Sequence, residues 1–272
     1  MRIRYFIYAA MAIIGLVLLL LNLSGFVLPL RHPELATAPT GFAPNDVTLS
    51  AQQVLAEAQP LPGESNEEFA HRLTLLVNQG MAHYWYSPDY NIHVPAHENW
   101  LLWLSGMVLP GFDNWEYIDH RRALERGVGL CSQHAVIMVG LLREAGVNAQ
   151  IVNLDYHVIA RVEVAPDTWY VADADYGVLV PYDYDRISPA IVRQFYHAYP
   201  DHWEYLGRAY QQTPSQIAPS AVEWRVTAFQ VERASYWLKW GVPGGFLLIG
   251  MLPLLRTFPR RKRSRPAQAT GN

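Results

Sequence analysis

Twenty-six consecutive residues, Tyr5 to Leu30, carry no charge. In a helix rising ~1.5 Å per residue, such a run crosses a ~30 Å hydrocarbon layer. Arg2 and Arg4 precede it. The run exceeds the ~7–15-residue apolar core of a secretory signal. Ala36-Thr37-Ala38 has the small residues of a cleavage site but lies well past the run, with Pro39 next. Residues 5–30 therefore read as an uncleaved membrane anchor. A second apolar run, Trp240 to Leu255, is short by itself, but starting at Ala234 it reaches 22 residues. That length predicts a second span over 234–255, with Lys239 snorkelling to the interface and Pro243, Gly244, Gly245 and Pro253 weakening the helix.

The charges sort around these two segments. The formal net charge is −3, yet residues 31–233 hold all 24 acids and 12 arginines, a net −12. The other 9 bases lie in the flanks, six of them in Arg256, Arg260, Arg261, Lys262, Arg263 and Arg265. The positive-inside rule puts both basic ends, residues 1–4 and 256–272, in the cytoplasm. It puts residues 31–233 on the other side, the periplasm or exterior for a chain of a bacterial inner membrane. A basic tail directly after an apolar run is a topology determinant near anionic headgroups, so no nucleic-acid partner is expected. The lipid bilayer is the first partner.

Residues 31–62 read as a Pro/Gly-containing stalk with one short helix, opened by a capping box at Ser50 to Gln53. Residues 63–233 read as one domain. Ser65 to Glu68 is a second capping box, and the helix behind it is expected to run to about Trp85. Asn99 to Leu109 reads as a buried helix. Trp115 to Arg126 and Cys131 to Ala145 read as two more, ended by Gly127 and Gly146. Ala149 to Asn153, Val158 to Val164 and Thr168 to Ala172 read as strands, with a turn at Pro166-Asp167. Ser188-Pro189 starts a helix to about Tyr199, and Ser220 to Glu223 caps a final one. The fold class is α+β, helices packed on an antiparallel sheet, flanked by the two transmembrane helices.

Cys131 is the only cysteine. It excludes an internal disulfide and a multi-cysteine zinc site. In Gly127-Val-Gly-Leu-Cys131-Ser-Gln-His-Ala135 a glycine-rich turn delivers the thiol to the first turn of an apolar helix. There the helix dipole and unpaired N–H groups favour the nucleophilic thiolate. A thiolate enzyme also needs a base and a group that fixes the base's tautomer. His157 begins one strand and Asp173 ends the next, so a tight hairpin sets them side by side. Asp173 and Asp175 share a strand face, and periodicity does not separate them.

These residues resemble the transglutaminase-like superfamily, the circularly rearranged relatives of papain. The cysteine block matches in Gly129, Cys131, Ala135, Leu141-Leu142-Arg143 and Gly146. The second block matches in His157, Arg161-Val-Glu163, Trp169 and, four residues on, Asp173. The usual Asp-Pro-Thr is replaced by Asp173-Ala-Asp175. The resemblance covers about residues 117–177 and assigns the catalytic roles to Cys131, His157 and Asp173. It implies a peptidase, amidase or acyltransferase in which Cys131 attacks a protein or peptide amide carbonyl and forms a thioester. His157 takes the thiol proton and passes it to the leaving amine, and Asp173 orients His157. The Cys131 N–H supplies one oxyanion donor. The resemblance places the other on an upstream side chain, with Asn99, Trp100, Asn114 and Trp115 as candidates. No cofactor is expected. No metal is expected either: His93, His97 and Glu98 have a suggestive spacing, but Pro95 between them argues for a loop. His134, three residues after Cys131, reads as packing beside the site.

The outer domain has 13 Tyr, 6 Trp before residue 220, and no Lys. Such rings can stack on sugars, although core and membrane-interface packing accounts for most of them. The competing reading is a non-catalytic transglutaminase-like module that binds partners in an envelope or exopolysaccharide complex.

Overall fold

Both capping boxes form. The computed structural model describes residues 2–31, 47–83 and 93–257. Ser50 and Gln53 bond reciprocally at the start of α2 (Ala51–Glu57), and Ser65 and Glu68 do so at the start of α3 (Asn66–Gly80). Before them lies α1 (Arg2–Ser24). The helix expected to reach Trp85 stops at Gly80. A Cβ at Gly80 would sit 2.6 Å from Val54 Cγ2, so α2 crosses close at this point. Met81 is already extended, and β1 (Ala82–His83) pairs parallel with β2 (Val128–Gly129). The remainder of that expected helix, Tyr84 onward, lies outside the described residues.

Next come α4 (Ala96–Val108), α5 (His120–Arg126) and α6 (Cys131–Glu144). α4 is not the buried helix expected from its apolar sequence, because Trp103, Leu104, Met107 and Val108 are exposed. α5 starts five residues later than expected, where Asp119 accepts from the Arg121 and Arg122 amides. Residues 115–119 are a loop instead.

The three strands expected from the sequence form at the expected positions, and two further short ones join them. β3 (Ala149–Asn153), β4 (Val158–Ala165), β5 (Thr168–Asp173), β6 (Val178–Val180) and β7 (Gln216–Ala218) make one antiparallel sheet in the order β6-β5-β4-β3-β7. Both faces are covered. Ala160, Val162 and Ala172 pack with α3 and α6 in the main core. Val152, Ile159, Val171 and Val180 pack under a second layer made by α7 (Pro189–Phe195) and α8 (Trp203–Tyr210). Ser188 caps α7 as expected, but that helix ends at Phe195. α9 (Ala221–Trp224) is a single turn, followed by α10 (Val226–Thr257).

Among the described residues, one helix is long and apolar enough to cross a membrane, over Ile3–Ser24. This corrects the second span expected over 234–255. That stretch belongs to the 32-residue α10, which starts at Val226 with Glu232, Arg233 and Lys239 in its first half and Pro243 and Pro253 inside. Glycine and proline dilute its apolar content, and Ser235 and Lys239 are buried against the domain. α10 nevertheless packs along α1 with the backbones in close approach. A Cβ at Gly15 or at Gly250 would come within 2.7 Å of the Pro243 carbonyl oxygen or of Ala12.

Candidate functional site

The turn before Cys131 is built by glycine for two separate reasons. Gly127 ends α5 at φ 71°, a left-handed conformation that a side chain resists. Gly129 must lack a Cβ, because one would lie 2.5 Å from Gln133 Cβ. Gln133 is fixed there: its amide donates to the Tyr117 carbonyl at 2.8 Å, and its oxygen accepts from the Tyr117 N–H and from Arg126 Nη2, each at 3.0 Å. The buried Arg126 also donates to the Val128 and Trp115 carbonyls. No local pattern signals this clamp, which ties loop 115–117 to the first turn of α6. Cys131 emerges half-buried as the first residue of α6. No side chain caps that helix, so its leading amides are left for another acceptor.

The β3–β4 turn delivers the histidine. Asp155 adopts φ 63°, its N–H bonds Asn153 Oδ1 at 3.1 Å, and Leu154 N–H closes on the His157 carbonyl at 2.9 Å. His157 is 2% exposed and Asp173 1%. His157 Nε2 lies 2.7 Å from Asp173 Oδ2, which leaves Nδ1 as the ring nitrogen for Cys131. Burial opposes charge on the ring, but the Asp173 carboxylate and then the Cys131 thiol outweigh it and push the His157 pKa well above its ordinary value. The same Asp173 oxygen accepts from Tyr196 OH at 2.9 Å, and Tyr196 OH meets Tyr210 OH at 2.6 Å. Tyr176 and Tyr205 pack edge-on against the His157 ring. Sequence reasoning missed all of these tyrosines, which come from the second layer or the turn that leads to it.

Asp175 is also in the site, so both carboxylates of the ambiguous pair are brought there. Cys131, His157 and Asp175 each place a ligand-type atom within 4.8 Å of the others. His83 Nδ1 sits 2.5 Å from Asp175 Oδ1, and His134 Nδ1 sits 3.4 Å from it. Burial opposes the Asp175 charge, but His83, His134 and His157 overcome that and hold its pKa at about 2. His134 is therefore more than packing. Its Nδ1 bonds the Leu130 carbonyl at 3.0 Å, which fixes the residue that precedes the nucleophile. Only the spacing of His134 from Cys131 could have signalled this group. His83 lay in a segment read as helix.

Three of the four expected oxyanion donors point elsewhere. Asn99 Nδ2 bonds Ser235 at 2.8 Å, Trp100 Nε1 bonds the Lys239 carbonyl at 3.2 Å, and Trp115 Nε1 bonds Glu232 at 3.2 Å. Asn114 stays half-buried. His97 and Glu98 do not converge: His97 faces the Pro29 carbonyl, and Glu98 pairs with Arg122.

The α+β domain thus brings a half-buried cysteine at an uncapped helix start close to a buried histidine–carboxylate pair on an antiparallel sheet. Residues 94–174 match the family model of the transglutaminase-like superfamily. No curated protein and no solved structure gives a significant match. His83, Asp175, Tyr196 and Tyr210 all lie outside the matched segment.

Proposed function

We propose that the protein is a membrane-anchored thiol enzyme that cleaves or transfers an amide or peptide acyl group through a Cys131 thioester. The carrying observation is the buried His157–Asp173 pair, at 2.7 Å, set against the half-buried Cys131 at an uncapped helix start. Nδ1 of His157 takes the thiol proton and later protonates the leaving amine, while Asp173 holds the tautomer. The Cys131 backbone N–H supplies one donor to the developing oxyanion. Alkylation of full-length protein by iodoacetamide across pH tests this reading. It expects alkylation of Cys131 with a pH profile that depends on His157 and is lost on His157→Ala. A profile unchanged by His157→Ala would instead favour a non-catalytic binding module in an envelope or polysaccharide complex.

We further infer that α1 is retained as the anchor and holds the domain on the non-cytoplasmic side. Two contacts support retention. Asn22 Nδ2 donates to the Lys239 carbonyl at 2.5 Å, and Arg31 donates to the carbonyls of Leu49, Gly80 and Leu124 at 2.8–2.9 Å. A cleaved signal would take the first contact away. Mass spectrometry of the mature N-terminus and a reporter fused after residue 60 test retention and side. A mature chain that starts beyond Arg31, or a cytoplasmic signal from the fusion, overturns this reading.

A further inference from the structure

We propose that Cys131, His157 and Asp175 form a three-ligand site for a thiophilic divalent cation of the zinc class, and that its occupancy silences the nucleophile. The inference concerns the same centre as the proposed activity, but it needs only the positions of these side chains and not turnover.

The donor set is the first ground. One thiolate, one imidazole and one carboxylate suit zinc, with Zn–S about 2.3 Å and Zn–N or Zn–O about 2.0–2.2 Å. Donors within 4.8 Å of one another are close enough to share one ion after small side-chain rotations. Thiolate and carboxylate together balance a divalent charge. Three protein ligands leave the fourth position of a tetrahedron open to water.

The second ground is that the two buried ligands are each held from behind. His157 presents Nδ1 to the site because Nε2 is bonded to Asp173 at 2.7 Å. That is the carboxylate–histidine–metal arrangement that orients ligands and raises their basicity. Asp175 is held by His83, whose Nδ1 lies 2.5 Å from Oδ1. Two ligands of one ion do not approach so closely, so His83 supports Asp175 through a hydrogen bond and stays off the metal. Access is through Cys131, which is half-buried while His157 and Asp175 are 2% and 1% exposed.

Binding is a simple exchange. The cation takes the Cys131 sulfur and His157 Nδ1, and the proton those two atoms share leaves to solvent. With its lone pairs committed, the sulfur no longer attacks a carbonyl, and Nδ1 no longer accepts a proton.

The experiment is titration of full-length, detergent-solubilised protein with Cd2+ and with Zn2+. The expected result is one ion per chain, a thiolate-to-Cd2+ charge-transfer band, and protection of Cys131 from iodoacetamide by Zn2+. Asp175→Asn is expected to lower affinity by at least ~10-fold, and His83→Asn by ~10-fold as a supporting contact. X-ray absorption on the unsubstituted zinc-loaded protein does not depend on variants folding, and should show one sulfur with nitrogen and oxygen ligands. Absence of the band, a sulfur count other than one, or an affinity indifferent to both substitutions in folded protein overturns the proposal. The metal-free alkylation profile reports on the enzyme reading separately, so either can fail while the other stands.

Discussion

Tyr196→Phe removes one hydroxyl from a buried chain of hydrogen bonds, Tyr210–Tyr196–Asp173–His157, and leaves the ring in place. In the structure Asp173 Oδ2 is held by two donors, His157 Nε2 and Tyr196 OH, at 2.7 and 2.9 Å. Tyr196 is fully buried, so no water replaces the lost donor. Burial and Asp173 push the Tyr196 phenol well above its ordinary pKa, and it donates throughout the accessible range. A hydrogen bond to a charged acceptor contributes about 1.5–3 kcal/mol. The loss falls unevenly on the two states of His157. When the ring is charged it still neutralises Asp173, and when the ring is neutral the carboxylate has lost its better remaining donor. Removing Tyr196 OH therefore favours the imidazolium. Part of the loss therefore appears as a further rise in the His157 pKa. The assay is the pH dependence of Cys131 alkylation beside urea unfolding of the same protein. The expected result is a high-pH limb displaced upward and a stability loss of about 1.5–3 kcal/mol. A stability loss with an unmoved alkylation profile would refute the positioning role and leave Tyr196 as packing alone. A downward displacement would refute the sign of the argument.

Three further outcomes are expected. Asp175 has its pKa lowered to about 2 in the fold, so its contribution is complete above its unfolded value near ~4 and is lost as pH falls through about 2; in Asp175→Asn protein the acid limb of a stability–pH curve should flatten between those values, and an unchanged limb would contradict the buried ion cluster. Gly129→Ala forces a methyl to within 2.5 Å of Gln133 and should cost about 1–3 kcal/mol, with slower alkylation of Cys131; wild-type unfolding and reactivity would show that the Gln133 clamp does not set the turn. Glu232→Gln weakens a buried acceptor of Trp115 Nε1 and the Ile118 and Asp119 amides, and should lower the urea midpoint by the equivalent of about 1–3 kcal/mol.

The nucleophile and the hairpin were legible because their signals are local. A glycine turn, a helix start and period-2 alternation all act within ten residues, and the strand edges fall within a residue of where alternation put them. Partners supplied from a distance were not legible. His83 follows a helix without a break in periodicity, and only the parallel pairing of Ala82 with Val128 pulls it out of that helix and beside Gly129. Tyr196 lies in a stretch that reads as one helix from Ser188-Pro189 to about Tyr199, and nothing in its spacing points to Asp173, 23 residues upstream. The Asp173/Asp175 ambiguity was real in physical terms. Continuing the register that pairs Ala160 with Ala172 sets His157 opposite Asp175 and diagonal to Asp173, so one strand face offers both carboxylates to the same end of the site.

The misread second span carries the same lesson in reverse. An apolar tally over 234–255 counts side chains but not what they touch. Asn99 bonds Ser235, Trp100 bonds the Lys239 carbonyl, and Lys239 Nζ reaches the Glu98 carbonyl, so this face of α10 is occupied by α4. One turn earlier, Glu232 gathers three donors from residues 115–119, the loop that Gln133 clamps to the first turn of α6. The path from α10 to Cys131 thus runs through buried, mutually satisfied polar groups, each costly to leave unpaired. α10 also packs on α1 through Gly15 and Gly250. The apolar helix and the thiol centre are therefore coupled parts of one folded unit, and removing α1 should reach the site through α10 as well as untether it.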